Sequence, residues 1–368
     1  MLMRKLLLLA CLLPALTARA ELPLHLLKVP SGHDIALVAE VPGARQLALG
    51  DLGTLFVGSR NGDGITALRD RDGDGRYEES MRIGSGLNMP NGVAVHQGDL
   101  YVAEVNRIWR YPAIEQRLPE IPARQLITDQ LPRNKHHGAK YLSVGPDGWL
   151  YFNIGAPCNV CLPDNPLFAT ISRINPRSGR IETVAQGVRN SVGMDWHPLS
   201  GQLWFTDNGR DLLGDNLPDD ELNRLTEPGQ HFGFPFFHSN HKAKPVPDPV
   251  YAATADNTDF VSPVLGLGAH VAALGMTFYR GGQLPKASGN TLFIAEHGSW
   301  NRSEKSGYRV MKLQTEEGRV ISHKPFVTGW LQGQSAWGRP VDVLVDGDGS
   351  LLISDDQAGA IYRVSAER

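Results

Sequence analysis

The sequence predicts an all-β chain, a six-bladed β-propeller with four-stranded antiparallel blades, on three observations. One hairpin unit recurs six times: a short apolar strand, a turn rich in Gly, Asp or Pro, and a second apolar strand. No long stretch carries the three-to-four-residue apolar spacing of an amphipathic helix. A strand-forming run, Asp34-Ile35-Ala36-Leu37-Val38, precedes the first unit without a hairpin partner of its own, as expected if it completes the last blade and ties the ring shut. A single sheet of this kind cannot bury both faces, whereas six arranged radially can, leaving only short outer edges. A sandwich of similar strands is the alternative; the regular repeat disfavours it.

The six units follow in order. The first pairs Leu47-Ala48-Leu49 with Leu55-Phe56-Val57, and the second pairs Val93-Ala94-Val95 with Leu100-Tyr101-Val102. The third runs from Leu142 to Phe152 around Gly145-Pro146-Asp147-Gly148. The fourth joins Gly193-Met194-Asp195-Trp196 to Leu203-Trp204-Phe205, and the fifth joins Gly275-Met276-Thr277-Phe278 to Leu292-Phe293-Ile294-Ala295. The sixth turns at Asp346-Gly347-Asp348-Gly349, between Val341-Asp342-Val343-Leu344 and Leu351-Leu352-Ile353. Third strands are expected at Ile108–Tyr111, Ile171–Ile174, Tyr308–Met311 and Ile361–Val364. The insertions near 207–265 and 281–290 read as loops on a face, where function usually sits.

A length of 368 residues allows two domains, but one all-β domain accommodates it, and 40 Gly with 25 Pro supply the turns. Met1–Ala20 carries Arg4 and Lys5, an apolar run Leu6–Leu16 and an Ala18-Arg19-Ala20 cleavage pattern. It reads as a secretory signal, with the propeller over 21–368 and a periplasmic or secreted address; the run is too short for a membrane span. A lipoprotein box at Cys11 ranks second. Cleavage near Ala20 removes three basic residues and no acid, which takes the net charge from −3 to near −6. A mildly acidic chain without basic runs argues against nucleic acid and against anionic membrane as partners. Two cysteines remain, Cys158 and Cys161. Leu162 stands where haem attachment needs His, so a short structural disulfide is the favoured reading of the pair.

Polar residues recur at one phase of the repeat. Just before the first strands stand Asn91-Gly92, His136 with Lys140, Arg189-Asn190, His270 and Trp337-Gly338-Arg339. Just after the second strands stand Glu104, Cys158, Asp207-Asn208, Glu296-His297 and Asp355-Asp356. Any one of these residues more often pins its own turn. Five blades sharing the pattern point instead to a cationic pocket near the axis, suited to a compact polyanion.

Two acid-rich loops raise the question of metal. Asp70–Glu79 starts like an EF-hand loop, but Met81 occupies the twelfth position. A calcium-stabilised turn and a plain solvated acidic turn therefore both stay open. The stretch from Thr206 to Asn223, with Asp207, Asp215 and Asn216, offers more hard oxygen ligands on the expected functional face and is the better Ca²⁺ candidate.

Several stretches together resemble the soluble quinoprotein glucose/sorbosone dehydrogenases, nearest in flavour to the sorbosone dehydrogenase-like branch. They are the hairpin His136–Phe152, Gly187-Val188-Arg189-Asn190, Asp220-Glu221-Leu222-Asn223 with His231-Phe232-Gly233, and Trp337-Gly338-Arg339-Pro340. To these are added Gly155-Ala156-Pro157-Cys158-Asn159-Val160-Cys161, His270-Val271-Ala272-Ala273-Leu274-Gly275 and Glu296-His297-Gly298-Ser299-Trp300-Asn301-Arg302. The resemblance implies a periplasmic six-bladed propeller using pyrroloquinoline quinone (PQQ) and Ca²⁺. It implies His136 as general base, Lys140 at the basic position four residues on, Arg189 and Asn190 flanking the quinone, and Arg339 as a clamp. His270 and the His297–Arg302 segment fall where other quinone contacts lie, and calcium-binding backbone carbonyls map to Asp215-Asn216. The sequence departs from the pattern in three places. Val341 replaces a second clamp arginine, Ala156 replaces an aspartate near the base, and the His297–Arg302 segment replaces a lysine in blade five.

The implied reaction is oxidation of an aldose, sorbosone or related sugar or polyol. His136 takes the proton as hydride passes to the quinone, Arg189 stabilises developing negative charge, and an external acceptor, a cytochrome or quinone, removes the electrons. The alternatives are a Ca²⁺-dependent lactonase-type hydrolase, disfavoured by a mostly cationic axis, and a non-catalytic propeller that binds a sugar or a protein.

Overall fold

The computed structural model describes residues 21–240, 242–255 and 259–367. The expected secretory segment and its cleavage site lie outside them. The repeat folds as the alternation of apolar and turn residues dictates. Blade one is Ala44–Leu49, Leu55–Ser59, Ile65–Arg69 and Glu79–Ile83. Blade two is Gly92–His96, Asp99–Ala103, Ile108–Tyr111 and Gln125–Thr128. Blade three is Leu142–Val144, Leu150–Ile154, Thr170–Ile174 and Ile181–Gln186. Blade four is Met194–Trp196, Leu203–Asp207, Asp219–Leu225 and Leu265–Ala269, and blade five is Ala273–Phe278, Thr291–Glu296, Arg309–Glu316 and Arg319–Val327. Blade six is Pro340–Val345, Leu351–Asp355 and Ala360–Ala366, completed on its outer edge by His33–Glu40. The early strand therefore closes the ring, pairing His33 with Ala366 and Glu40 with Ala360.

Two expectations need correction. Blade three has a fifth strand, Gln230–His231, added in parallel beside Ile181–Gln186. The supposed insertion at 207–265 contains the third strand of blade four, Asp219–Leu225, and leads into its fourth. That strand reads poorly because its acids and amides are buried: Asp219, Asp220, Glu221 and Asn223 all face the interior.

The core is not one mass but six apolar layers, one between each pair of neighbouring blades. Phe56, Ile65, Val93 and Leu100 lie between blades one and two, and Phe293, Val310, Ile353 and Tyr362 lie between five and six. The remaining four layers follow the same scheme. Toward the axis the inner strands approach backbone to backbone. A Cβ on Gly193 would lie 2.1 Å from the Leu274 carbonyl oxygen, and one on Gly275 would lie 2.6 Å from Asp342 Cα. Polar side chains bridge the rest of the axis: Gln46 donates to the Leu142 carbonyl at 2.6 Å and accepts from Leu142 N–H at 2.9 Å, while Asp342 accepts from Leu47 N–H at 2.8 Å.

Candidate functional site

In each hairpin the start of the inner strand and the end of the second strand lie at the same end of the sheet. Both sets of polar residues therefore lie toward one end of the axis, where His136, Arg189, Asn190, His270 and Arg339 from the first and Asn208 and His297 from the second line a cavity of about 410 Å³. Five basic side chains line it, Arg45, Arg60, Lys135, Arg189 and Arg339, against two carboxylates, Asp211 and Asp220. Four imidazoles, His136, His137, His270 and His297, complete the wall. Val192 and Leu274 line the floor and pack on Val341 beneath them. The position expected to lack a clamp arginine thus supplies part of an apolar base.

Of the residues expected from the sequence, His136, Arg189, Asn190, His270, His297 and Arg339 reach this cavity. His136 is exposed at the rim, its ring 4.1 Å from that of His137. Asn190 is half-buried, and its backbone N–H is held by Asp207 Oδ1 at 2.6 Å. Arg339 donates from Nε to the His297 carbonyl at 3.0 Å and from Nη2 to the Gly298 carbonyl. Among the described residues Nη1 has no partner.

Arg189 is differently placed. Its Nε donates to the Asn159 carbonyl at 2.8 Å, Nη1 donates to the carbonyls of Asn208 and Gly209, and Nη2 donates to Asn159 Oδ1 and Asp211 Oδ2. All five guanidinium protons are engaged. Arg189 therefore offers the cavity positive charge but no free donor.

Lys140 lies outside the lining. It is fully buried beneath the histidine loop and donates to the Gly138 carbonyl at 2.9 Å; burial lowers its pKa to about 7. Arg302 also stands outside the lining, donating to the carbonyls of Asp215 and Ala269.

Three imidazoles are fixed by an acceptor on one nitrogen. His137 Nδ1 donates to the Ala156 carbonyl at 2.9 Å, His270 Nε2 to the Gly214 carbonyl at 2.9 Å, and His297 Nε2 to Asp356 Oδ1 at 2.7 Å. Burial, reinforced by the Arg189 charge, lowers the His137 pKa to about 2. Burial lowers His297 to about 4 even beside its carboxylate. Burial opposes ionisation of Asp356, but His297 and Arg45 together hold its carboxyl well below the ordinary range. Strain accompanies this order: His137, His270 and Ala272 have φ of 47°, 60° and 54°, a left-handed region that non-glycine residues rarely occupy and that often marks functional sites.

Sequence reasoning missed Arg45 and Arg60; His137, Asp211, Trp300 and Asn301 stand within stretches it singled out but received no individual role. Arg45 was findable, since it stands two residues before the apolar run Leu47-Ala48-Leu49, as Asn91 and Arg339 stand before Val93 and Val341. It is buried, bound to Asp356 by Nη1 and to Asn91 Oδ1 by Nε, both at 2.9 Å, which leaves Nη2. Nothing in the sequence pairs Asp211 with Asn301; only the fold joins them, at 3.0 Å.

The oxygens expected to bind calcium do not converge. Asp207 accepts the backbone N–H groups of Arg189 and Asn190. Asp215 Oδ1 accepts the Ser303 N–H at 3.1 Å, its carbonyl accepts the Arg302 guanidinium, and Asn216 is exposed. A divalent ion roughly 4 Å from a guanidinium meets repulsion on the order of 8 kcal/mol at an effective dielectric of about 20. These residues do not fit a calcium ion. Among the described residues, the one cluster of three carboxylate or imidazole ligand atoms within 4.8 Å of one another is Asp70, Asp72 and Glu78. It lies on the outer hairpin of blade one, where Asp70 caps the turn N–H groups of Gly73 and Gly75 at 2.8 Å.

A disulfide joins Cys158 to Cys161, as expected, and the loop it closes carries Asn159, the main partner of Arg189. No described helix is long and apolar enough to cross a membrane.

Fold and cavity together define a six-bladed propeller with a cationic well, apolar at its base, at one end of its axis. The chain belongs to the family described as Domain of unknown function (DUF7133), which it matches over residues 24–363. An uncharacterised protein of Borreliella burgdorferi is 36% identical over 373 residues, covering 97% of this chain and 95% of that protein. A pyrroloquinoline quinone-dependent pyranose dehydrogenase of Coprinopsis cinerea is 23% identical over 93% of this chain, which spans 55% of that enzyme's length. The holo PQQ domain of pyranose dehydrogenase from Coprinopsis cinerea superposes with a TM-score of 0.77 at 20% identity, over 92% of this chain and 97% of that domain. PQQ-bound aldose sugar dehydrogenase from Streptomyces coelicolor gives 0.65 at 18%, over 92% and 100%. At such identities the likeness to these structures establishes the fold.

Proposed function

We propose that this chain is a quinoprotein oxidoreductase that oxidises an aldose, sorbosone or related sugar with PQQ seated in the axial well. The observation that carries the reading is the make-up of that well. An apolar floor of Val192 and Leu274 suits a flat aromatic body, and Arg45, Arg60 and Arg339 around it suit carboxylates at its edges. The two superposed structures, one a holo PQQ domain and the other PQQ-bound, support the same choice. When bound, the quinone supplies a two-electron acceptor.

The chain's own residues do the rest. Arg339 Nη1, Arg45 Nη2 and the Arg60 guanidinium have no protein hydrogen-bond partner among the described residues, and they orient the anion. Arg189 contributes charge from a saturated position. His136, at the rim, accepts the substrate hydroxyl proton, an assistance worth about 10²–10⁴ in rate. His137 is held neutral behind it and is too weak a base for that task near neutral pH. Ala156, where an aspartate was expected, fixes His137 through its carbonyl oxygen. A secreted or periplasmic setting and an external electron acceptor belong to the same proposal; calcium does not.

The test is reconstitution of the purified protein with quinone, followed by dye reduction on aldoses and sorbosone. His136→Ala should keep the absorbance change of quinone binding and lose turnover by about 10²–10⁴. Undiminished turnover in that variant removes His136 from the role. Quinone that produces no spectral change with the wild-type protein removes the oxidoreductase reading.

A further inference from the structure

Two successive backbone carbonyls, those of Gly214 and Asp215, face protic side chains from blade five rather than open space. His270 Nε2 donates to the first at 2.9 Å, and Arg302 Nη1 donates to the second. Arg302 is held there independently: Nη1 also reaches the Ala269 carbonyl at 3.4 Å and Nε donates to the Glu304 carbonyl at 3.0 Å. The loop is locked from the other side, because Ser303 N–H donates to Asp215 Oδ1 at 3.1 Å and Ser306 Oγ to the Ala269 carbonyl at 3.2 Å. A calcium ion needs six to eight oxygens at about 2.3–2.6 Å. Here the expected Asp215 carbonyl already carries a permanently cationic donor, and the neighbouring Gly214 carbonyl carries an imidazole N–H. Asp207, the other expected ligand, directs both oxygens at backbone N–H groups.

We propose that this chain seats its anionic cofactor without a divalent metal, with Arg302 occupying the Asp215 carbonyl expected to hold the ion and His270 occupying the Gly214 carbonyl beside it. The inference rests on the quinone reading above. The guanidinium stands behind the lining, fixed to the Asp215 carbonyl, so positive charge at this point does not depend on an ion from solution. His270 links the two: it lines the cavity and bonds to Gly214, one residue from the Arg302 anchor.

The experiment is equilibrium binding of PQQ to the full-length protein, followed by tryptophan quenching and quinone absorbance, in excess chelator and in millimolar calcium. Calorimetric titration of the protein with calcium alone accompanies it. The expected result is a Kd equal within about twofold in the two conditions and no calcium isotherm attributable to this site. Arg302→Gln should weaken quinone binding in chelator by about tenfold or more, and calcium should restore part of the loss. Arg302→Lys, which keeps the charge, should lose less; circular dichroism and thermal melting of both variants confirm folding. Quinone that binds only with calcium overturns this inference and leaves the cofactor reading intact. Binding in chelator that Arg302→Gln does not weaken also overturns it. Quinone that binds in neither condition overturns the cofactor reading, and this inference with it.

Discussion

Lys140 is 2% exposed, and the Gly138 carbonyl is its one hydrogen-bond acceptor among the described residues. Burial lowers its pKa from 10.5 to about 7, because the charged form has lost its water. Between those values the unfolded chain binds a proton that the folded chain does not. Stability should therefore rise with pH from about 7 toward 10.5 on account of this group, by at most about 1.4 kcal/mol per pH unit. Lys140→Met should lose that rise, and denaturant titrations at several alkaline pH values measure it. Arg189 makes the opposite kind of prediction. Five engaged protons cannot be matched by the three of an ammonium, so Arg189→Lys should cost about 2–4 kcal/mol in unfolding free energy although charge is kept. At this scale the sequence was informative wherever a residue type recurred at one phase of the repeat, as at His136, Arg189, His270 and Arg339. It was silent on whether a given donor is free or engaged, since the carbonyls of Asn159, Asn208 and Gly209 reach Arg189 only through the fold.

At the scale of the element, the loop closed by Cys158 and Cys161 acts as a bracket for the site. Asn159 Oδ1 accepts from Arg189 Nη2 and from Asp211 N–H, and its Nδ2 donates to the Asp211 carbonyl. Asn159→Ala leaves buried donors unmatched and should cost about 1–3 kcal/mol, read as a lower midpoint in chemical denaturation. The inner strands make a second demand. Gly275→Ala would place a methyl 1.9 Å from Asp342 Oδ1 and 2.6 Å from its Cα, so blade six would have to shift. A loss of about 1–3 kcal/mol or more is expected, with Gly53→Ala as the uncrowded comparison, where the cost is that of a φ of 86° alone. The hairpins were legible because apolar runs between turn residues mark strands. The third strand of blade four was not, because Asp219, Asp220, Glu221 and Asn223 read as loop chemistry while they are buried between neighbouring strands.

For the whole molecule, closure is the weak seam. His33–Glu40 is the one strand of blade six that comes from the other end of the chain, and it covers the edge of Ala360–Ala366. Deleting residues 21–40 should leave that edge unpaired and uncover Ile361 and Leu352, which Val38 and Ala39 shield. Loss of the cooperative thermal transition and concentration-dependent aggregation by light scattering are the expected outcomes; a monomer with an unchanged melting temperature contradicts them.

By itself the sequence determined the ring. A six-fold hairpin with apolar faces has few ways to bury both sides of every sheet, and an unpaired strand at the start of the chain has one obvious edge to fill. It also determined which end of the blades would be polar, because strand ends in a repeat share a phase. Only the tertiary structure decided what that polar end can bind. Arg45 and Arg60 arrive from blade one to supply the charge that Val341 does not. Arg302 crosses to the Asp215 carbonyl that a metal was expected to use. Such choices depend on distances across the axis between residues far apart in the chain, and a local pattern of side chains carries no record of those distances.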